Sequence, residues 1–194
     1  MNKNKLQGKD FITIGIFTAI YFVVNFIVSM LGVIPIFIPL TAVFVPLIGG
    51  IPMMLYFSKI KKPGMLFVSG ILIGLLMLLT GMGFWCILTC AVCSLIAEVF
   101  LKKSAYKNAK TAVLAHGIFS VWTVGAFIPM VFFRDSYYEM LAKYGKPEYA
   151  EAVMSYVPDW SLPVLAIAAF IFGVIGAVIG RKIFKKHFEK AGIM

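Results

Sequence analysis

The sequence predicts an all-α, polytopic membrane protein with six transmembrane helices and both termini in the cytoplasm. Three observations support this prediction. The 194 residues are 61% hydrophobic and 13% charged, with a mean hydropathy of +0.96, whereas a soluble domain is about half apolar and a quarter charged. The apolar residues form six runs, and the basic residues cluster between alternate runs. This composition excludes a soluble enzyme, a nucleic-acid-binding domain and a disordered chain.

The lengths of the apolar runs predict a single membrane domain over residues 1–194. A helix of about 20 residues crosses a bilayer, so six spans use most of the chain. The predicted spans are residues 11–31, 36–57, 65–79, 84–101, 111–133 and 162–179. The first run is too long for the apolar region of a signal peptide and has no small-residue cleavage site after it, so we interpret it as a retained helix. Three prolines and two glycines in the second run predict a kinked or irregular helix.

The distribution of Lys and Arg predicts the orientation of these spans. Fifteen of the eighteen basic residues lie in four segments, namely residues 1–10, 58–64, 102–110 and 181–194. The other three lie in the segment 134–161. Because cytoplasmic segments carry the excess of basic residues, we expect both termini inside and the segment 134–161 outside. The net charge of +10 therefore indicates membrane topology first, and only second an acidic binding partner.

The outer segment 134–161 is predicted to be an ordered loop with two surface helices. It holds five of the eight acidic residues of the chain. Residues 135–144 favour one short helix, and Pro147 favours the start of a second helix that ends near Tyr156. Long ordered loops are often lids or binding loops.

Candidate ligand-binding residues lie at the outer ends of the predicted spans. They are Asn25, Trp85, Trp122, Thr123, Arg134, Tyr137 and Trp160. Aromatic walls with a few polar groups are typical of small-molecule pockets, although an aromatic belt at the membrane surface accounts for about half of the aromatic residues. Asn25 is equally consistent with a hydrogen bond between helices. Arg134 and Asp159, at the two ends of the outer loop, either orient a ligand or pair with each other.

For polar side chains in the inner halves of the spans, we favour a structural role over a functional one. Glu98 is the only acid inside a predicted span, and Lys102 four residues later favours an ion pair along the helix. The alternative for Glu98 is a contact with a cytoplasmic partner. His116, Ser120 and Thr123 share one face of the fifth span, and for His116 we favour a hydrogen bond between helices.

Small side chains line one face of three predicted spans. They are Gly70 and Gly74 in the third span, Cys86, Cys90 and Cys93 in the fourth, and Ala166, Ala169, Gly173, Gly176 and Gly180 in the sixth. Small residues let helices approach closely in a membrane, so we favour packing over a thiolate metal site. Motifs for nucleotide binding and for hydrolase chemistry are missing. We therefore predict no enzymatic activity, no cofactor and no metal.

The chain resembles the substrate-binding S components of energy-coupling factor (ECF) vitamin transporters, and more particularly the Trep_Strep, or MptD-type, family. The resemblance covers most of the chain. It rests on the six-span layout, on residues 13–20 of the first span, and on Ala97-Glu98 with the loop 102–106 that follows. S components carry an Ala-x-x-x-Ala segment in the first span that faces the coupling subunit. The matching positions here are Gly15 and Ala19, where Gly replaces the first Ala.

The resemblance implies a bacterial plasma-membrane protein that captures a small, vitamin-like nutrient at its outer face. It implies an EcfT-type transmembrane coupling subunit and two ABC ATPases as partners, with Gly15 and Ala19 at the partner interface and Glu98 as a further candidate there. It assigns no ligand residues, because pockets differ among S components. The alternative is a stand-alone secondary transporter, for which the spans offer only Glu98 as a coupling carboxylate. A membrane enzyme or structural protein ranks lower.

Overall fold

The computed structural model describes residues 5–188, and over this part of the chain the fold is entirely helical, without β-strands. The described α-helices are α1 (Gly8–Ser29), α2 (Phe37–Lys59), α3 (Met65–Leu79), α4 (Trp85–Lys103), α5 (Ala109–Ser120), α6 (Ile128–Phe132), α7 (Arg134–Tyr144), α8 (Pro147–Tyr156) and α9 (Ser161–Phe188). Two 3₁₀ turns, Met30–Val33 and Val121–Ala126, follow α1 and α5. The predicted inner segments 1–10 and 181–194 lie partly outside the described residues.

Four of the described helices are long and apolar enough to cross a membrane. They are α1 with its 3₁₀ turn, α2, α4 and α9, and they coincide with the first, second, fourth and sixth predicted spans. The third helix has the predicted bounds, 65–79. At about 1.5 Å per residue it is roughly 22 Å long, shorter than the hydrocarbon core of a bilayer. The all-α prediction is confirmed, whereas the number of spans and the side on which the termini lie stay predictions.

The fifth predicted span is interrupted between Ser120 and Ile128, where the 3₁₀ turn Val121–Ala126 replaces α-helix. The Thr123 hydroxyl donates to the Ser120 carbonyl at 3.0 Å, a local bond that competes with helical hydrogen bonds. The Trp122 carbonyl, inside the 3₁₀ turn, accepts a hydrogen bond from the Thr89 hydroxyl of α4 at 2.8 Å. A neighbouring helix therefore satisfies the backbone at the break.

The second span is helical without interruption from Phe37 to Lys59, and the kink that its prolines predict stays a prediction. Pro46 and Pro52 lie inside this helix and each lacks a backbone N–H. Helix α2 is supported along its length by α9, with glycines at the contact. A Cβ atom at Gly180 would lie 2.7 Å from the Gly50 carbonyl oxygen, which no side chain tolerates. The small-residue face of the sixth span thus packs backbone against backbone, as predicted.

The outer loop folds into α7 and α8, with the second helix ending at Tyr156 as predicted. These helices pack on a small apolar cluster of their own that includes Phe127, Met130, Val153 and Val157. The Tyr149 hydroxyl of α8 donates to the Gly32 carbonyl at 2.6 Å. The two helices therefore form an ordered cover that is fastened to the turn between α1 and α2. We call this end of the bundle the cover end.

Candidate functional site

A cavity of about 110 Å³ lies inside the cover end. Helices α1, α2, α3, α4, α6 and α7 and the interrupted segment between α5 and α6 all contribute to its wall. The lining residues are Ser29, Ile38, Thr41, Val45, Met77, Met82, Cys86, Trp122, Thr123, Ala126, Phe127, Met130 and Tyr137. The lining is therefore aromatic, aliphatic and sulfur-bearing, with a few hydroxyl groups and without a formal charge.

The hydroxyl groups of the lining keep capacity for a ligand. Thr41 and Thr123 donate to the carbonyls of Ile38 and Ser120 at 2.6 and 3.0 Å, so their oxygens retain lone pairs that can accept. Burial raises the pKa of the Tyr137 phenol to about 12. Its hydroxyl therefore stays protonated at neutral pH and can donate.

The floor of the cavity is built around Trp122. The Trp122 indole Nε1 donates to the Tyr21 hydroxyl at 3.1 Å, which fixes the ring between α1 and the interrupted segment. Both partners are almost completely buried. An indole held by its N–H presents its apolar face as a rigid wall.

Asn25 lies one helical turn before Ser29 on α1, and its exposure is 0%. Neither its side-chain nitrogen nor its oxygen forms a hydrogen bond of normal geometry in the described part of the chain, although the Tyr21 hydroxyl, one turn earlier on α1, interacts with the Asn25 side chain. The amide is placed against α2, because a Cβ atom at Gly49 would lie 3.0 Å from the Asn25 Oδ1 atom. Gly49 in turn lies one turn from Val45, which lines the cavity. A buried amide without a hydrogen bond of normal geometry therefore sits one helical turn below the cavity.

The cavity brings together three of the seven predicted ligand residues, Trp122, Thr123 and Tyr137, and places Asn25 below them. Trp85, Arg134 and Trp160 do not line it. The Trp85 ring stacks on Phe133 with 5.8 Å between ring centroids. Trp160 is 69% exposed at the surface, where an aromatic belt residue would be found.

Arg134 fastens the cover. Its guanidinium donates to the Val157 carbonyl at 2.7 Å, to the Met154 carbonyl and to the Asp159 carboxylate at 3.1 Å. The pairing of Arg134 with Asp159 is therefore formed. The two carbonyls belong to the end of α8, whose last backbone acceptors have no helical partner. Arg134 thus joins the start of α7 to the end of α8.

Sequence reasoning missed most of the apolar lining. Met77 and Met82, which are close in the chain, meet the distant Met130 in the cavity wall. Cys86, for which the sequence favours packing, is buried and also borders the cavity. None of these residues differs in type or spacing from an ordinary core residue, so the sequence carries no local signal for them.

The predicted partner positions on α1 point away from the bundle. Nothing within the described chain lies within 4 Å of the position that a Cβ atom at Gly15 would take, and Ala19 is exposed. This face of α1 is therefore not packed against another described helix.

Glu98 turns into the protein instead of pairing with Lys102. Its carboxylate accepts backbone hydrogen bonds from Gly64, Leu66 and Phe67 at 3.0, 2.8 and 3.3 Å, and a further bond from the Tyr106 hydroxyl. It caps the start of α3, where free N–H groups favour a negative charge. The Glu98 side chain is buried, with 7% exposure. Its hydrogen-bond partners lie in segments that the sequence spacing did not indicate.

His116 forms the hydrogen bond between helices that its position predicted. Its Nε2 atom lies 3.1 Å from the Pro46 carbonyl oxygen of α2. Since a carbonyl only accepts, Nε2 carries the proton. The histidine is completely buried and connects α5 to α2 below the cavity.

Comparison with known proteins identifies the family. A family model described as hypothetical bacterial integral membrane protein (Trep_Strep) matches residues 8–190. This chain belongs to the Trep_Strep family. The match covers all the described helices, and with the apolar helices it indicates a membrane-embedded, multi-pass protein and suggests a transport-related role. No curated protein and no solved structure matches the sequence.

Proposed function

We propose that this Trep_Strep protein is the substrate-binding S component of an ECF-type importer in a bacterial plasma membrane. It crosses the membrane six times with both termini inside, and the cover end faces outward. It captures a small nutrient there and delivers it with an EcfT-type coupling subunit and two ABC ATPases. The observation that carries the proposal is the cavity of about 110 Å³ beneath α7, lined by Trp122, Thr123 and Tyr137.

The interrupted fifth span supports a binding role for this cavity. Non-helical backbone at membrane depth is tolerated only where protein or a water-filled cavity surrounds it. The segment Val121–Ala126 contributes Trp122, Thr123 and Ala126 to the cavity wall. The break therefore occurs where the backbone borders the proposed site.

The chemistry of the lining favours an uncharged substrate group. The lining contains no Asp, Glu, His, Lys or Arg. Burying an ionised group without a partner costs several kcal/mol. The volume is below the roughly 300 Å³ of pockets that enclose drug-sized ligands. The substrate accordingly inserts a compact, neutral, apolar or aromatic portion, with hydrogen-bonding atoms for the hydroxyl groups and for Asn25.

The open face of α1 supports the coupling partner. Association of helices in lipid depends on close packing, which small residues permit. Gly15 and Ala19 lie one turn apart on this face, and neither is covered by another described helix. A secondary transporter is less well supported, because Glu98, the only acid inside a predicted span, lies near the end of α4 and its carboxylate already accepts hydrogen bonds from the start of α3.

Ligand retention tests the proposal. The protein is purified from cells grown in rich medium, and native mass spectrometry records bound small molecules and co-purified subunits. We expect a bound small molecule in the wild type, loss of it in Trp122→Ala, and retention in Trp160→Ala, which changes an exposed tryptophan outside the cavity. A coupling subunit and ATPases are expected with all three proteins. Equal retention by both variants would contradict the assigned site.

Orientation is tested separately in intact cells. Single cysteines replace Ser136 on α7 or Lys103 at the end of α4, both exposed, in a chain whose three native cysteines are changed to alanine. A membrane-impermeant thiol reagent should label the first position and not the second. The reverse pattern would place the cavity on the cytoplasmic side and exclude an outward-facing S component.

A further inference from the structure

A larger cavity of about 290 Å³ opens at the end of the bundle opposite the cover. It lies between the end of α2, the α4–α5 loop and the final part of α9. Its rim carries Lys61, Lys107, Arg181 and Asn108, and its floor includes Met54 and Phe57. We call it the basic groove, and we call this end of the molecule the basic end.

The positive charge of the groove is not balanced within the described chain. Lys61, Lys107 and Arg181 come from three separate segments and converge on one space. In the part of the chain that the structure describes, none of them forms an ion pair, and no acidic residue lines the groove. Glu98 lies behind Tyr106, but its carboxylate is engaged with α3 and with the Tyr106 hydroxyl. Among the described residues, three converging cations thus lack a counter-charge, an arrangement that favours an anion.

The backbone of the α4–α5 loop is strained where it borders the groove. Ala105 and Tyr106 have φ angles of 51° and 58°, in the left-handed region that is unfavourable for residues with a Cβ atom. Strain of this kind persists only where surrounding contacts hold it, here the bond from Tyr106 to Glu98. The conformation directs Tyr106, Lys107 and Asn108 to the groove. The loop is therefore held in a shape that completes the site.

The position of the groove distinguishes between sources of the anion. It begins where α2 and α9, two of the helices long enough to cross a membrane, leave their apolar stretches. Its floor of Met54, Phe57 and Ala112 is apolar. A free inorganic anion gains nothing from such a floor, whereas a phospholipid places its phosphate among the cations and the start of its acyl chains on the apolar side chains.

We propose that the basic groove binds the head group of an anionic phospholipid. Arg181, Lys61 and Lys107 contact the phosphate, and the Asn108 side-chain nitrogen, whose Oδ1 neighbour already accepts from the Lys110 N–H, donates to the head group. The lipid fills the gap between α2, α9 and the α4–α5 loop and holds these three segments together. This site is separate from the proposed substrate cavity and does not depend on the direction in which the protein is inserted, because both leaflets present head groups.

The test compares lipid nanodiscs made of phosphatidylcholine with nanodiscs that also contain phosphatidylglycerol. Thermal unfolding and lipids retained in native mass spectrometry are measured for the wild type. The variants are Lys61→Gln and Arg181→Gln, with Lys59→Gln and Lys182→Gln as controls that change neighbouring exposed cations outside the groove. We expect phosphatidylglycerol to raise the unfolding temperature of the wild type. Each groove variant should lose about fivefold in preference for phosphatidylglycerol, and each control should keep it.

Three results would overturn the proposal. The first is equal stability of the wild type in both kinds of nanodisc. The second is an equal loss in groove and control variants, since that would show a general attraction of basic residues to anionic membranes. The third is an equal gain from millimolar inorganic phosphate in phosphatidylcholine nanodiscs, which would assign the site to a soluble anion. Lys61→Arg, which keeps the charge, should restore the lipid preference and excludes a simple folding defect.

Discussion

At the cover end, the completely buried amide of Asn25 forms no hydrogen bond of normal geometry among the described residues, whereas near the basic end the Glu98 carboxylate accepts bonds from three backbone N–H groups and a tyrosine. Both groups are costly to bury in an apolar interior. The one near the basic end is compensated by the fold itself. The one at the cover end has no comparable set of hydrogen bonds in the described part of the chain. Our proposal assigns the first kind of group to stabilising the fold and the second kind to binding.

The largest effect is expected from Glu98→Ala. Removing the carboxylate leaves the Leu66 and Gly64 N–H groups and the Tyr106 hydroxyl without their acceptor. The free energy of unfolding should fall by about 3 kcal/mol, since each unsatisfied buried donor costs about 1–3 kcal/mol. Chemical denaturation in detergent measures this loss.

Two matched variants sharpen the result at Glu98. Glu98→Gln keeps one acceptor oxygen and should lose less than Glu98→Ala. Lys102→Ala tests the ion pair that sequence spacing favoured, and it should change stability by no more than about 0.5 kcal/mol. A large loss in Lys102→Ala together with a small loss in Glu98→Ala would reverse the assignment.

Asn25→Leu should act in the opposite direction on stability. Without substrate, replacing an unsatisfied buried amide by an apolar side chain of similar size should raise the free energy of unfolding by up to about 2 kcal/mol. Retention of the co-purified small molecule should be lost in the same variant. Thermal unfolding and native mass spectrometry on one preparation measure both effects. Destabilisation of more than 1 kcal/mol would mean that the amide is satisfied in the free protein and that the contrast with Glu98 is false.

Arg134→Gln should loosen the cover. The guanidinium holds the Val157 and Met154 carbonyls at the end of α8, and hydrogen bonds to a charged donor contribute about 1.5 kcal/mol or more. We expect a loss of about that size and faster proteolysis between α7 and α8. Asp159→Asn should change less, because the Asp159 side chain is 76% exposed. If both variants lose the same stability, the ion pair rather than the carbonyl contacts holds the cover.

Ala105→Gly should give a small gain near the basic end. Glycine adopts the left-handed region without the steric penalty of a Cβ atom, so the free energy of unfolding should rise by up to about 1 kcal/mol. The unfolding temperature measures the gain, and Ala109→Gly in α5 serves as a control that should lose stability. A loss in Ala105→Gly would show that this loop is not strained.

Gly15→Leu should have the smallest effect on folding, but it should abolish assembly with the coupling subunit and the ATPases. Since nothing in the described chain lies within 4 Å of the added Cβ atom, the free energy of unfolding should stay within about 0.5 kcal/mol of the wild type. The coupling subunit and ATPases should no longer co-purify, while the small molecule at the cover end should still be retained. Ile12→Leu, at an exposed position, is the control. Normal co-purification by Gly15→Leu would remove the partner face from the proposal.

Helix positions followed from the sequence because their causes are local. Helix α3 has the predicted bounds, since Pro63 and Gly64 precede it and Gly81 follows it. The cover helices α7 and α8 were readable from their polar sequence and from Pro147. The glycine face of α9 predicted a close helix–helix contact, because small residues at helical spacing permit close packing in a membrane, but it did not indicate α2 as the partner.

The interruption of the fifth span was not predictable from its own residues. It is held by Thr89, which reaches the Trp122 carbonyl from another helix. Glu98 shows the same limit, since spacing indicated Lys102 while its partners are N–H groups more than thirty positions earlier in the chain. The cavity wall was only partly predictable for a related reason. Tryptophan, threonine and tyrosine near span ends stand out in a sequence. Methionines that line a cavity, in contrast, cannot be distinguished in the sequence from methionines packed in the core.

The hydrogen bond from Tyr149 to the Gly32 carbonyl gives α1 a mechanical role. Gly15, Asn25 and the turn at Gly32 follow one another along this helix and its 3₁₀ extension, with about 15 Å between the first two at 1.5 Å per residue. A tilt imposed on α1 at Gly15 would displace the amide of Asn25 and pull on α8 in the same movement. We therefore expect the first helix to act as a lever that connects the exposed face at Gly15 to the cover through the bond from Tyr149.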